Sequence, residues 1–176
     1  AALEANERYL ATFIEAHSFC PFAAGGRAQG LTARFVHCAE TTDVTPFLEL
    51  MARAAGDPGK AVVQVIVPMA EVSAKDWTRF CHEVTAAGNE HLRALGDDSL
   101  YVVAPLHPEL PYSTANPFAL VPLFRRAPDP TIQWVRFDAL SALYEGRSSD
   151  TIFVDPANVD AFSESARRPP LLDRIA

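Results

Sequence analysis

The sequence predicts an α/β (α+β) fold, with helices packed on a small β-sheet of three to four strands. Short β-branched segments alternate with amphipathic ones, and capping or turn residues separate them. The length of 176 residues suits a single globular domain spanning 1–176, with enough chain to bury a core. Hydrophobic residues make up 49% and charged residues 21%, which is typical of a folded protein and excludes disordered and fibrous classes.

The predicted elements follow in chain order. The strands are short apolar segments bounded by turn residues, and they are predicted over 31–36, 61–67 and 100–104. The helices show apolar residues at helical spacing, and they are predicted over 4–18, from Thr45 to Gly56 and from Ser73 to Gly96. A loop of small residues over 23–30 joins the first helix to the first strand. This alternation is the main basis for the fold class.

The segment 105–130 contains seven of the 14 prolines, so we expect it to be irregular. It is too apolar for an exposed linker, and we predict that it forms a long Pro-rich loop over the functional pocket. After it, Asp129-Pro130 can start a helix that runs through Ile132 to Tyr144, with a strand over 132–137 as the competing interpretation. A short strand over 151–154 and a helix capped by Asp155 complete the prediction.

Charge and cysteine content restrict the partners. Acidic residues outnumber basic ones 22 to 15, giving a net charge of -7, which argues against nucleic acid as a partner. No apolar segment approaches the roughly 18–20 residues of a membrane span, and no signal-peptide pattern is evident. The three cysteines form no CxxC motif, so we expect a reducing, cytoplasmic setting. A small molecule is the expected partner, and a homodimer is left open.

Motifs of several enzyme classes are absent, including GxSxG, HExxH, the phosphate-binding P-loop and GxGxxG. His107-Pro108-Glu109 resembles the start of a two-histidine, one-carboxylate iron site. Such sites usually take their second histidine downstream, and no histidine follows His107.

Cys20 and His107 are the candidate catalytic and metal-binding residues. Each lies beside a proline, in a segment predicted to be irregular, and a thiolate or imidazole can bind iron or act as a nucleophile–base pair. We expect the two to meet in one pocket and at least one to be essential. The competing interpretation is structural: a cysteine that closes a helix end and a histidine bonded to loop carbonyls.

Basic and polar residues complete the predicted site. Guanidinium groups bind carboxylates of a cofactor or substrate, although each could also lie on a solvated face; the candidates are Arg27, Arg125, Arg126 and Arg136. Glu109, Tyr112 and Asn116 are the predicted substrate contacts. Glu109 or Asp129 could pair with a substrate ammonium group.

An ordered set of motifs resembles a known bacterial family. The set is Leu10…Phe13-Ile14-Glu15…Cys20-Pro21-Phe22-Ala23, His107-Pro108, Asn116-Pro117-Phe118 and Arg126-Ala127-Pro128-Asp129-Pro130-Thr131…Arg136. It resembles the family known as domain of unknown function 1415, over about residues 4–145. This chain departs from the family by having Arg-Ala-Pro where Arg-Ser-Pro is usual, and by a short interval between His-Pro and Asn.

The resemblance implies a haem-dependent oxidoreductase, because some family members oxidise an amino-acid side-chain amine towards a nitro group. Cys20 or His107 would then bind the iron, and the arginines would anchor the haem propionates. Two other classes remain open. One is a cofactor-free enzyme with Cys20 as nucleophile and His107 as base. The other is a module that holds haem or a metal without turnover.

Overall fold

A computed structural model describes residues 1–16, 23–38, 43–68, 70–113 and 117–144. It confirms the α/β class, with helices packed on a four-stranded mixed sheet. The strands are β1 Thr32–Val36, β2 Val62–Ile66, β3 Tyr101–Leu106 and β4 Thr131–Arg136. The helices are α1 Ala2–Tyr9, α2 Ala23–Ala28, α3 Thr45–Ala55, α4 Ala74–Ala94, α5 Pro117–Phe124 and α6 Phe137–Tyr144. Helix α1 continues directly into a π-helical segment, Leu10–Glu15.

The strand order in the sheet is β1-β2-β4-β3. Strands β1 and β2 are parallel neighbours, whereas β4 is antiparallel to both β2 and β3. Strands β1, β2 and β3 therefore run in one direction, and β4 is inserted between the last two. The carboxyl ends of the three parallel strands meet at one edge of the sheet, which is where α/β proteins commonly bind ligands.

One face of the sheet forms the main core with α3 and α4. Val63, Val65 and Trp134 alternate along β2 and β4 on this face and pack against Phe47 of α3 and Trp77 of α4. All five side chains are fully buried. Alternation of this kind is expected of strands with helices on one face.

The opposite face carries a second apolar cluster, which is formed by α1, the π-helical segment, the end of β3 and the 123–127 stretch. Its buried members are Tyr9, Leu10, Ile14, Leu106, Leu123, Phe124 and Ala127, with Phe13, Ala23 and Tyr112 packed against them. We call this set the second cluster. It brings the start of the chain against the segment between β3 and β4.

The structure corrects two predicted loops. Residues 23–28 form helix α2 rather than part of a small-residue loop, and Gly30 ends this turn with a φ of 67°. Residues 105–130 are not irregular throughout, because Pro105 lies in β3 and residues 117–124 form α5. Within the described residues β3 pairs only with β4, and an edge strand tolerates a proline that lacks an N–H group.

The region after residue 130 combines both interpretations drawn from the sequence. A strand forms over Thr131–Arg136, as the competing interpretation had it, and a helix follows over Phe137–Tyr144. The predicted strand at 151–154 and the helix at Asp155 lie outside the described residues. No helix in the described ranges is long and apolar enough to cross a membrane.

Candidate functional site

His107 follows β3 at the carboxyl edge of the sheet and is only 3% exposed. Its Nε2 lies 2.9 Å from the carbonyl oxygen of Val72, and its Nδ1 accepts the backbone N–H of Glu109 at 3.1 Å. Its own backbone N–H donates to the carbonyl of Arg125 at 3.0 Å. The imidazole therefore joins the segment before α4 to the segment after β3.

These hydrogen bonds select one tautomer of the His107 ring. A carbonyl oxygen only accepts, so Nε2 carries the hydrogen, and Nδ1 must be the acceptor for Glu109. A metal ligand or general base needs a free lone pair on one ring nitrogen. In this arrangement His107 offers none, and its environment is that of a histidine bonded to loop backbone.

Cys20 and Asn116 lie outside the described residues, so the predicted meeting of Cys20 with His107 stays a prediction. In the sequence, Cys20 comes five residues after the last residue of the π-helical segment, Glu15. Isolated π-helical turns are rare and frequently occur at functional sites.

The second cluster joins segments that are far apart in the chain. The Tyr9 hydroxyl donates to the backbone carbonyl of Phe124, and the Phe13 and Phe124 rings lie 6.5 Å apart. Leu106, next to His107, and Ala127, next to Arg126, belong to the same cluster. Two of the four motif segments behind the family resemblance thus have residues in this apolar layer, and a third, His107-Pro108, directly follows its member Leu106.

Arg126 lies at the border of this cluster. Its guanidinium carbon is 5.2 Å from the centre of the Tyr112 ring, a cation–π arrangement. Its Nε is buried and has no hydrogen-bond partner among the described residues. An unpaired, buried guanidinium N–H is costly, and a ligand carboxylate would satisfy it.

The other predicted arginines are elsewhere. Arg27 of α2 is paired with Glu15 at 2.7 Å, and the side chain of Arg125 is exposed. Arg136 is held by Asp138 through two hydrogen bonds of 3.2 and 2.8 Å. Arg136 is the last residue of β4, whereas Thr131, the first, pairs with Leu106 beside His107. The structure therefore does not bring Arg136 to His107 or Arg126.

The predicted acidic contacts also differ in their surroundings. The side chain of Glu109 is exposed, and its role at His107 is through its backbone N–H. Burial raises the pKa of Asp129 above its ordinary value. Tyr112 is half-buried against the second cluster. Of the three predicted substrate contacts, only Tyr112 lies in the apolar layer within the described residues.

Sequence reasoning missed a polar row on the same face of the sheet. Arg34 on β1 donates from Nε to Gln64 Oε1 at 3.2 Å, and Gln64 Nε2 donates to Gln133 Oε1 at 2.8 Å. Gln64 is 2% exposed. The signal was present in the sequence, since Gln64 interrupts the apolar strand Ala61–Val67, and such an interruption requires a buried partner.

The cysteines within the described residues are free thiols. Cys38 is exposed, whereas Cys81 is buried in the main core and its burial raises the pKa of the thiol. No group of three or more His, Cys, Asp or Glu side chains suited to a metal ion occurs in the part of the chain that the structure describes.

Comparisons with family models, with curated proteins and with solved structures found no match. The resemblance to the bacterial family stays a prediction.

Proposed function

We propose that the protein is a haem-dependent oxidoreductase that N-oxygenates a small amine or amino acid. The observation that supports it is the second cluster, in which the start of the chain, the end of β3 and the segment before β4 pack together. The first and the last of these segments carry motifs of the family resemblance, and the end of β3 directly precedes the His107-Pro108 motif. An apolar layer with aromatic side chains and a half-buried guanidinium at its border suits a flat cofactor that bears carboxylates.

The residues present fit this cofactor in part. The unpartnered Nε of Arg126 fits a propionate carboxylate, with Tyr112 packed on the guanidinium. His107 does not fit as an iron ligand, because both of its ring nitrogens are hydrogen-bonded to backbone groups. We therefore assign iron ligation to the Cys20 thiolate and a positioning role to His107.

When bound, haem would supply an iron centre at which a peroxide, or dioxygen together with two electrons from an external reductant, gives one oxygen atom to the substrate nitrogen and the other to water or an alcohol. The chain itself has three tasks in this proposal. Cys20 binds the iron, and Arg126 holds a carboxylate. His107 links the backbone at Val72 to the backbone at Arg125. The second cluster excludes water from the apolar part of the site.

Absorption spectra of the protein titrated with haem test this assignment. Cys20→Ala should lose or shift the Soret band, because it removes the iron ligand, whereas Cys38→Ala should keep the wild-type spectrum. His107→Gln should keep the band and lower turnover or haem affinity by about 10–100-fold. A Cys20→Ala protein that folds and keeps the wild-type spectrum and turnover would overturn the proposal.

Turnover separates an enzyme from the two alternatives. A haem-binding module would show the Soret band without oxidising an amine. A Cys/His nucleophilic enzyme needs a free imidazole nitrogen beside its thiol, and the hydrogen bonds of His107 disfavour that function. The free thiols of Cys38 and Cys81 support the proposed cytoplasmic location, and a small-molecule partner is proposed in place of nucleic acid.

A further inference from the structure

The layer between the N-terminal helix and the sheet contains buried polar atoms that no described residue satisfies. Asn6 of α1 is 1% exposed, and neither its Oδ1 nor its Nδ2 has a hydrogen-bond partner within the described residues. Leaving both ends of a buried amide unpaired is costly, because the amide has lost its hydrogen bonds to water. Such a residue is a candidate for binding a ligand.

Glu15 is the second such group, at the end of the π-helical segment. Its side chain is 12% exposed, and Oε2 accepts from Arg27 at 2.7 Å. Its other oxygen, Oε1, is buried without a partner among the described residues. A buried carboxylate oxygen is best satisfied by a charged N–H donor.

The polar row on the sheet is connected to the N-terminal helix through Arg34. Arg34 has no acceptor, so Gln64 must turn its oxygen towards Arg34 and its amide N–H towards Gln133. Arg34 also lies 3.6 Å from Glu7, the residue after Asn6. The row is therefore fixed in orientation and tied to the same helix.

The charges around Arg34 belong to one cluster. Burial lowers the pKa of Arg34, and the charges of Glu7, Arg27 and Glu15 all act on its guanidinium. The two carboxylates and two guanidinium groups of this cluster therefore carry no net charge together. The unpaired Oε1 of Glu15 remains as an acceptor after the Arg27 pair is made.

We propose that Glu15 binds the ammonium group of the substrate amine, and that Asn6 hydrogen-bonds a carbonyl or amide group of the same molecule. The ligand class is a primary amine that also carries an amide or carboxyl group. The choice of an amine rests on the proposed function. The site itself rests on the unpaired atoms of Asn6 and Glu15, and it replaces Glu109 and Asp129 as the ammonium contact.

Calorimetric titration of the purified protein, with and without added haem, tests the site. The probe is 4-aminobutanamide, which carries an ammonium and an amide. Butanamide lacks the ammonium group, and butylamine lacks the amide. Glu15→Gln should weaken 4-aminobutanamide about tenfold or more and leave butanamide unchanged. Glu83→Gln, at an exposed position of α4, is the matched control and should bind the probe like wild type.

Two further variants separate binding from structural roles. Asn6→Leu should weaken both amides about tenfold but not butylamine, and its stability should equal or exceed that of wild type, because it removes a buried unpaired amide. Arg27→Gln removes the ion pair of Glu15 but not Oε1, so it should bind the probe at least as tightly as wild type.

The outcomes distinguish this inference from the proposed function. If Glu15→Gln and Asn6→Leu bind 4-aminobutanamide like wild type, or if wild type does not bind it, the inference is wrong even where haem binds. If the probe binds with the predicted pattern and haem does not bind, the inference stands and the haem proposal falls. If Arg27→Gln weakens the probe as much as Glu15→Gln does, Glu15 acts through its ion pair and the inference is overturned.

Discussion

His107 is held by hydrogen bonds to three separate parts of the chain. Its ring contacts the backbone of Val72 and Glu109, and its backbone N–H donates to Arg125. The sequence predicted its position beside the sheet but not its hydrogen-bond partners. A His-Pro pair after a strand is compatible with either a ligand or a buried structural histidine, and only the fold specifies which carbonyl lies opposite Nε2.

Replacing His107 by alanine should destabilise the protein by about 2–4 kcal/mol, because it leaves the Val72 carbonyl and the Glu109 N–H unpaired in a buried place. His107→Gln, which can donate to the Val72 carbonyl, should lose less stability than the alanine variant. Urea unfolding followed by circular dichroism measures both. A loss below about 0.5 kcal/mol for the alanine variant would contradict the assigned role.

Cys81 should make stability depend on alkaline pH. Burial raises the pKa of its thiol above the ordinary value of 9.0. Above that pH the unfolded thiol ionises while the folded one stays protonated, so this contribution to stability is present below about pH 9 and is lost as pH rises. The slope is at most about 1.4 kcal/mol per pH unit.

The measurement is the free energy of unfolding between pH 8 and pH 10.5, compared with that of Cys81→Ala. The alanine variant should be less stable at pH 8, because it leaves a cavity, but its stability should fall less steeply with pH. Parallel pH profiles for the two proteins would show that Cys81 is not a buried thiol.

At the scale of elements, α3 and α4 approach closely at Gly88. A Cβ placed there would lie 2.4 Å from the sulfur of Met51, which is 1% exposed. Glycine in a helix interior costs about 1 kcal/mol relative to alanine, so Gly88 is explained by packing rather than by helix propensity. This contact joins the two helices that cover the main core.

Gly88→Ala should therefore destabilise the protein by about 1–2 kcal/mol, because the methyl group overpacks against Met51. In a Met51→Ala background the same change should stabilise by up to about 1 kcal/mol, since only the helix preference remains. Thermal unfolding of the four proteins in this cycle measures the coupling. A purely additive result would contradict the packing contact.

Several elements were predictable because local pattern and local structure agree. Strand β2 is a β-branched segment between turn residues, and Ser73 caps α4 by accepting the Asp76 N–H at 3.1 Å. Pro105 in β3 and helix α5 were not predictable from their prolines. The proline in β3 is tolerated because that strand is at the edge of the sheet, and the prolines of α5 are tolerated because that helix is short. Both conditions are set by the assembled fold rather than by the local sequence.

At the scale of the molecule, the sheet order and the hydrogen-bond partners of Gln64 could not be read from the sequence. Inserting β4 between β2 and β3 places Gln133 beside Gln64, and these residues are 69 positions apart in the chain. The same topology separates Arg136 from Arg126, although both residues have a guanidinium group. Residue types predicted the candidate chemistry, and the topology decided which candidates lie together.

The central claim is that this protein binds haem at the border of the second cluster, beside Arg126. Titration of the purified wild-type protein with haem, followed by absorption spectroscopy, tests it most directly. The account predicts a Soret band that saturates at one haem per chain. Arg126→Ala should weaken the affinity for haem by about tenfold, because a propionate contact is lost. A wild-type titration with no saturable change in the Soret band would contradict the account.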